Sequence, residues 1–147
     1  MVKIEVQAPL AELYEDDETA WLEEMSRLVS ERRYRELDHE HLSEFLADMA
    51  RRDKREVLNR LTLLFAHLLK WEHQPDQRSN GWQATIAVQR RELKDLLESG
   101  TLLRHANEVV GKAYERAVKQ AALETNLPEN SFPTECPFAL ETVLETE

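Results

Sequence analysis

The sequence predicts an all-α protein, a single-domain bundle of five or six helices over residues 1–147. An extended Pro-rich C-terminal segment and a short final helix complete it. Three observations predict this class. Only 3 of 147 residues are glycine, where average usage of about 7% would give roughly ten. Apolar residues recur at three- and four-residue spacings along most of the chain. Cap and stop residues divide those stripes into segments of helical length. A chain of about 150 residues buries roughly 68–70% of its unfolded surface, so its core needs no disulfide or metal staple. No repeat, low-complexity tract or Gly/Ser linker interrupts it, which predicts one domain.

The elements follow in order. Val2, Ile4 and Val6 alternate with Lys3 and Glu5 ahead of Pro9. No other segment offers a partner strand, so residues 1–12 read as an extended arm. Asp16 or Asp17 caps a first helix, with Trp21, Met25, Leu28 and Val29 as its apolar stripe. Asp38 caps the next, with Leu42, Phe45, Leu46 and Met49 on one face. Asp53, with Glu56 three residues on, makes a capping box. The following stripe of Val57, Leu58, Leu61, Leu64, Phe65 and Leu68 is rotated from the preceding one, which predicts a break near Asp53.

Pro75 stops this helix, because the residue before a proline is pushed out of the α region. Ser79 and Asn80 cap another helix, carrying Trp82, Ile86, Leu93, Leu96 and Leu97, with Gly100 as its C′ residue. Thr101 caps a long helix through Leu103, Ala106, Val110, Ala113, Tyr114, Ala117 and Ala121 to Asn126. Its small residues admit a close neighbour. Residues 127–147 form a surface tail, extended at Pro128 and Pro133. Pro137 takes the N1 position of a short last helix with Leu140, Val143 and Leu144.

Charge and composition exclude several functions. The longest apolar run, Leu61–Leu69 with His67 inside it, falls far short of the roughly 20 residues that span a bilayer. No apolar signal segment follows the N-terminus, so the expectation is a cytoplasmic protein without a membrane partner. Cys136 is the only cysteine, which leaves no disulfide within the chain. The net charge of −10 disfavours a general nucleic-acid binder, because the summed field repels polyanions. That charge is uneven: −9 over residues 1–50, +3 over residues 51–100 and −4 over residues 101–147. Arg51, Arg52, Lys54, Arg55, Arg60, Arg90, Arg91 and Lys94 make the middle basic. An acidic first segment neutralises this middle within the fold or across a dimer, or the basic cluster receives a phosphate-bearing partner.

The densest polar and aromatic stretch runs from His67 to Trp82. It places His67, Lys70, Trp71, His73, Arg78 and Trp82 around one interhelical connection, a candidate binding corner. His67 and Trp71 are i, i+4 neighbours able to stack, and Arg78 is able to lie over an indole face. The competing reading is packing: the tryptophans lock the corner, while His73 and Arg78 bond carbonyls freed near Pro75. Arg60 and His67 stand close to two helical turns apart on one face. An Arg that binds phosphate and a His that titrates near neutrality resemble the pair of HEPN-type ribonucleases. Leu61 stands where that family usually places a polar residue.

His39, His41, His67, His73 and His105 form no metal-ligand pattern, although His41 and Glu44 are i, i+3. Cys136, in a proline-rich tail, reads as structural. No G-x-S-x-G and no glycine-rich phosphate loop is present, so no cofactor is expected.

The run Leu61-x-x-Leu64-x-x-His67-Leu68-Leu69-Lys70-Trp71, then Gln74-Pro75 and Arg78-Ser79-x-x-Trp82, resembles a bacterial family, domain-of-unknown-function family twenty-nine. Trp21-Leu22-Glu23, Glu36-Leu37-Asp38, Gln89-Arg90-Arg91, Ala113-Tyr114 and Phe132-Pro133-x-x-Cys136-Pro137 extend the resemblance from about Leu13 to Leu144. It implies a cyanobacterial or proteobacterial all-α protein and carries no activity. One departure sits at Ala50–Lys54, where the family has a Gly-Arg-Ser-Glu-like turn. Ala50 and Arg51 both favour continuing a helix there.

Three functions remain. The leading one is a non-catalytic helical interaction module that binds a protein partner or itself. The second is a HEPN-like, RNA-directed nuclease using Arg60 and His67. The third is an antitoxin-like, nucleic-acid-associated regulator, which the negative charge disfavours.

Overall fold

A computed structural model describes residues 9–145 of the chain. The alternating Val2–Val6 stretch lies outside the described residues. Among those described there are six α-helices, three single 3₁₀ turns and no strand. None of these helices is long and apolar enough to cross a membrane. The chain forms two compact units, Met1–Ala50 and Arg51–Glu147.

The first unit holds α1 (Leu10–Asp16), α2 (Glu18–Ser30) and the start of α3 (His39–His73). Pro9 opens α1, its carbonyl accepting the Glu12 and Leu13 amides at 2.9 and 3.0 Å. The last residues of the arm expected over residues 1–12, from Leu10 on, are therefore helical. Asp17 caps α2 as expected, accepting the Ala20 amide at 3.1 Å. The stripe buries Trp21, Met25 and Leu28 against Leu10, Leu13 and Tyr14 of α1 and Phe45 of α3. Val29 was expected with them and is 46% exposed. Beyond α2, Arg32 takes a left-handed φ of 60°. The Arg33 amide donates back to the Leu28 carbonyl at 2.9 Å, the six-to-one bond of a Schellman ending.

Asp38 caps α3, accepting the His41 amide at 3.3 Å. The break expected at Asp53 is absent: α3 runs unbroken for 35 residues. Ala50, Arg51, Arg52, Lys54 and Arg55 are all strong helix formers. A cap at Asp53 is worth only about 1 kcal/mol, less than the interior hydrogen bonds that an interruption would forfeit. The stripe shifts because the helix serves a different core in each unit. Leu42 and Phe45 pack in the first, and Val57, Leu61, Leu64 and Phe65 are buried in the second. Leu46, expected on the packed face, falls between the two stripes and is 60% exposed.

The second unit adds α4 (Asn80–Leu96), α5 (Gly100–Thr125) and α6 (Leu140–Glu145). Pro75 does end α3, two residues after His73. Ser79 caps α4 through the Trp82 amide at 3.1 Å. Gly100 is not the C′ residue of α4, which ends at Leu96; it opens α5, and its φ is not positive. Ser99, not Thr101, caps α5, accepting the Leu102 amide at 3.3 Å. A glycine without positive φ extends the helix by a residue and hands the cap to the serine before it.

Helix α5 buries Ala106, Ala113, Tyr114, Ala117 and Ala121 and ends at left-handed Asn126 (φ 61°). The tail is more than a surface strap. Phe132, Leu140 and Val143 are buried in the same core as Phe65 and Leu69. The Tyr114 hydroxyl donates to the Pro133 carbonyl at 2.6 Å, and Phe138 stacks on Phe65 at 5.3 Å. With Phe138 drawn inward, α6 starts at Leu140 and not at Pro137. The first carbonyl serving it is that of Ala139, which accepts the Val143 amide at 2.9 Å.

Candidate functional site

The C-terminal turns of α3, the 3₁₀ turn Pro75–Gln77 and the start of α4 bring the predicted corner together. The Arg78 guanidinium lies over the Trp71 ring at 4.7 Å, and its Nε donates to the Trp71 carbonyl at 2.8 Å. That carbonyl is one of the last of α3, which have no partner within the helix. His73 Nδ1 bonds the Leu69 carbonyl at 3.0 Å, and its ring meets the Phe132 ring at 4.9 Å. His67 Nδ1 bonds the Leu63 carbonyl, also at 3.0 Å. A carbonyl only accepts, so both Nδ1 atoms carry the proton. Burial pushes the His67 imidazole below its ordinary pKa, and neighbouring Lys70 adds to that. The expected His67–Trp71 stack is not among the ring contacts of the described residues; Arg78 covers that indole.

Lys70 is buried, with its ammonium 5.0 Å from the centroid of the Trp82 ring and paired with the Glu124 carboxylate of α5. Burial works to raise the Glu124 pKa. Hydrogen bonds from Lys70 and Gln120 outweigh it and hold the carboxyl below its ordinary value. The six corner residues thus meet around one junction, and the polar ends of four, His67, Lys70, His73 and Arg78, are directed to carbonyls, an indole or a carboxylate of their own chain.

Arg60 and His67 are engaged by different partners. Arg60 donates from Nε to Glu56 at 2.9 Å and from a terminal nitrogen to Gln89 Oε1 at 3.0 Å. It borders an open hollow of about 420 Å³ with Arg52, Arg55, Glu56 and Asn59, and His67 does not line it. Gln89, a buried polar residue of α4, was named only within the Gln89-Arg90-Arg91 motif and was not read as a partner of Arg60. Its place in the α4 stripe, between Ile86 and Leu93, was the available signal.

A second hollow of about 420 Å³ runs along α5, between Tyr114, Val118 and Lys119 and the tail residues Phe132 and Pro133. The adjoining one reaches Cys136. Burial pushes the Cys136 thiol above its ordinary pKa, and its sulfur donates to the Phe138 carbonyl at 3.5 Å. That is the opposite of the thiolate a nucleophile requires. Among the described residues, no three His, Cys, Asp or Glu side chains are placed to hold a metal ion.

The first unit contains a polar cluster that sequence reading missed as such. Asp38 Oδ2 accepts from His41 Nδ1 at 2.8 Å and from the Trp21 indole at 3.2 Å. Tyr14 stacks on His41 at 4.4 Å. The i, i+3 spacing of Asp38 and His41 signalled the pair; pairing His41 with Glu44 drew attention to the wrong side of it.

A family model, described as domain of unknown function DUF29, matches residues 13–147, so the chain belongs to that family. No curated protein and no solved structure matches the chain.

Proposed function

We propose that this member of the DUF29 family is a non-catalytic helical interaction module that binds a protein partner or a second copy of itself. The observation that supports it best is the engagement of the side chains on which catalysis would depend. His67 spends its Nδ1 proton on the Leu63 carbonyl, and Arg60 spends two donors on Glu56 and Gln89. A general acid–base needs its proton directed at substrate and a pKa near the working pH; burial lowers that of His67. The surface supplies positive support. Leu46 on α3 and Leu123 on α5 are 60% and 81% exposed, and charges of both signs are segregated along the sequence. Each leucine is an exposed apolar side chain on its own unit, and the core of an interface is built from such residues.

The nuclease reading with Arg60 and His67 is weaker, because His67 does not line the hollow that Arg60 borders. Light scattering of the purified chain over a hundredfold concentration range, with capture from a bacterial lysate on immobilised chain, tests the proposal. Mass rising with concentration, or a partner that Leu123→Glu or Leu46→Glu releases, supports it. A monomer throughout that retains nothing overturns it. RNA cleavage lost in His67→Ala would restore the enzyme reading.

A further inference from the structure

Arg52, Arg55, Glu56, Asn59 and Arg60 border the open hollow of about 420 Å³, and all of them belong to the second unit. Helical geometry explains why they meet. Arg55 stands about 60° short of a full turn from Arg52, and Asn59 about 20° short of two turns, so the three share a face. Arg60 lies about 80° to one side of Arg52, where Gln89 of α4 reaches it.

Three guanidinium groups and one carboxylate border the hollow, a net of two positive charges. Asn59 is neutral and adds an amide able to donate hydrogen bonds. Asp53, the other acidic residue of this stretch, does not border the hollow. The Glu56 carboxylate is already engaged, accepting from Arg60 Nε at 2.9 Å. With the Gln89 bond at 3.0 Å, that contact fixes the Arg60 guanidinium and leaves its remaining N–H groups for a ligand. Arg52 and Arg55 are exposed and, among the described residues, have no partner within the chain. Two unpaired guanidinium groups beside a third held in place by its own chain contribute nothing to packing and suit an anion.

Arginine forks bind carboxylate and phosphoryl oxygens alike, and charge decides between the two. A carboxylate carries one negative charge, whereas a phosphorylated side chain carries about −1.5 to −2 at neutral pH, which matches the hollow. Shape decides how the group arrives. A small-molecule pocket buries about 70–90% of its ligand; an open hollow does not, but it admits a group presented by a larger molecule. A nucleic acid presents its phosphates in series, and the net charge of −10 opposes such a polyanion. We propose that this hollow is a recognition site for a phosphorylated side chain of a protein partner, with Arg52 and Arg55 closing on the phosphoryl oxygens and Arg60 fixed beside them. The proposal rests on the interaction-module reading and gives the partner its chemistry.

Contacts from exposed charges are individually weak and screened by salt. Affinity here comes from several of them converging on one doubly charged group, so removing any one has a measurable effect.

Fluorescence anisotropy of the full chain with a labelled peptide tests this. The peptide carries one phosphoserine among uncharged residues and is compared with its unphosphorylated twin. The phosphorylated form is expected to bind about tenfold more tightly or better, with the advantage shrinking as salt rises. Arg52→Gln and Arg55→Gln each lower its affinity by about fivefold or more and leave the twin unaffected. Both positions are exposed, and far-UV circular dichroism is expected to show both variants as helical as wild type. Equal binding of the two peptides overturns phosphoryl recognition. Phosphopeptide binding indifferent to both variants overturns the hollow as its place. Inorganic phosphate that competes as well as unlabelled phosphopeptide overturns a partner-borne group in favour of a free one. A single-stranded RNA that binds more tightly than the phosphopeptide overturns a protein as the source. A partner captured equally well from a phosphatase-treated lysate overturns this inference while leaving the interaction-module reading standing.

Discussion

Asp38 shows how one side chain serves two levels of structure. Its carboxylate caps α3 through the His41 amide and also receives the His41 ring and the Trp21 indole. Partial burial works to raise its pKa, and these hydrogen bonds, led by the His41 ring, outweigh that and hold it below its ordinary 3.8. The same contact raises His41 above its ordinary 6.5. A base with a raised folded pKa adds stability that is complete below the unfolded pKa and is lost as pH rises through the folded value. An acid with a lowered folded pKa adds stability above its unfolded pKa, lost as pH falls through the folded value. The pair therefore contributes most between about pH 4 and 6.5. Thermal melts from pH 5 to 8 are expected to show wild-type stability declining relative to Asp38→Asn as His41 loses its proton. Parallel profiles for the two proteins would remove the pair from the pH dependence. Partners at helical spacing, such as Asp38 with His41 and Glu56 with Arg60, carry a local signal, although the sequence reading set His41 against Glu44 and Glu56 against Asp53. Gln89 for Arg60 and Glu124 for Lys70 were not legible as partners, because no local pattern encodes which residue another helix delivers.

At the scale of elements, caps carried most of the legible information. Asp17, Asp38 and Ser79 each accept the amide that their position predicts. The failures share a cause: a local cap signal was given more weight than the chain around it. Asp53 sits in the interior of α3 because its neighbours propagate helix well and no glycine or proline releases them. Lys54→Pro separates the two possibilities. At the first turn of a helix beginning after Asp53, proline is tolerated or favoured. Inside a continuous α3 it removes one hydrogen bond, clashes with the carbonyl four residues back, and costs about 3 kcal/mol or more. We expect the larger cost, read as a lower denaturation midpoint with reduced far-UV ellipticity at 222 nm. A variant as stable as wild type would establish a break that the helix does not show.

Over the whole molecule, charge segregation and burial divide the chain near the same place. The acidic first fifty residues build one small core around Trp21, and the remainder builds a larger one around Phe65 and Leu69. Composition and periodicity made the helical class legible across this length. They gave the proline-rich tail to the surface because prolines mark irregular backbone, and irregular backbone is usually exposed. Backbone irregularity and side-chain burial are separate properties, and residues 128–139 combine them. Pro128, Pro133 and Pro137 are exposed while Phe132 is 4% exposed and closes the core beside α5. Phe132 also backs the His73 ring, tying the tail to the end of α3. Truncating a buried phenylalanine to alanine costs about 3–5 kcal/mol through lost transfer energy and the cavity left behind. That is a large share of the roughly 5–15 kcal/mol that holds a typical domain together. Phe132→Ala is therefore expected to lower the urea midpoint sharply, whereas Leu123→Ala, at an 81% exposed site, stays within about 0.5 kcal/mol of wild type. Equal small effects from the two substitutions would return the tail to the surface and leave Tyr114 and Phe65 to close the core without it.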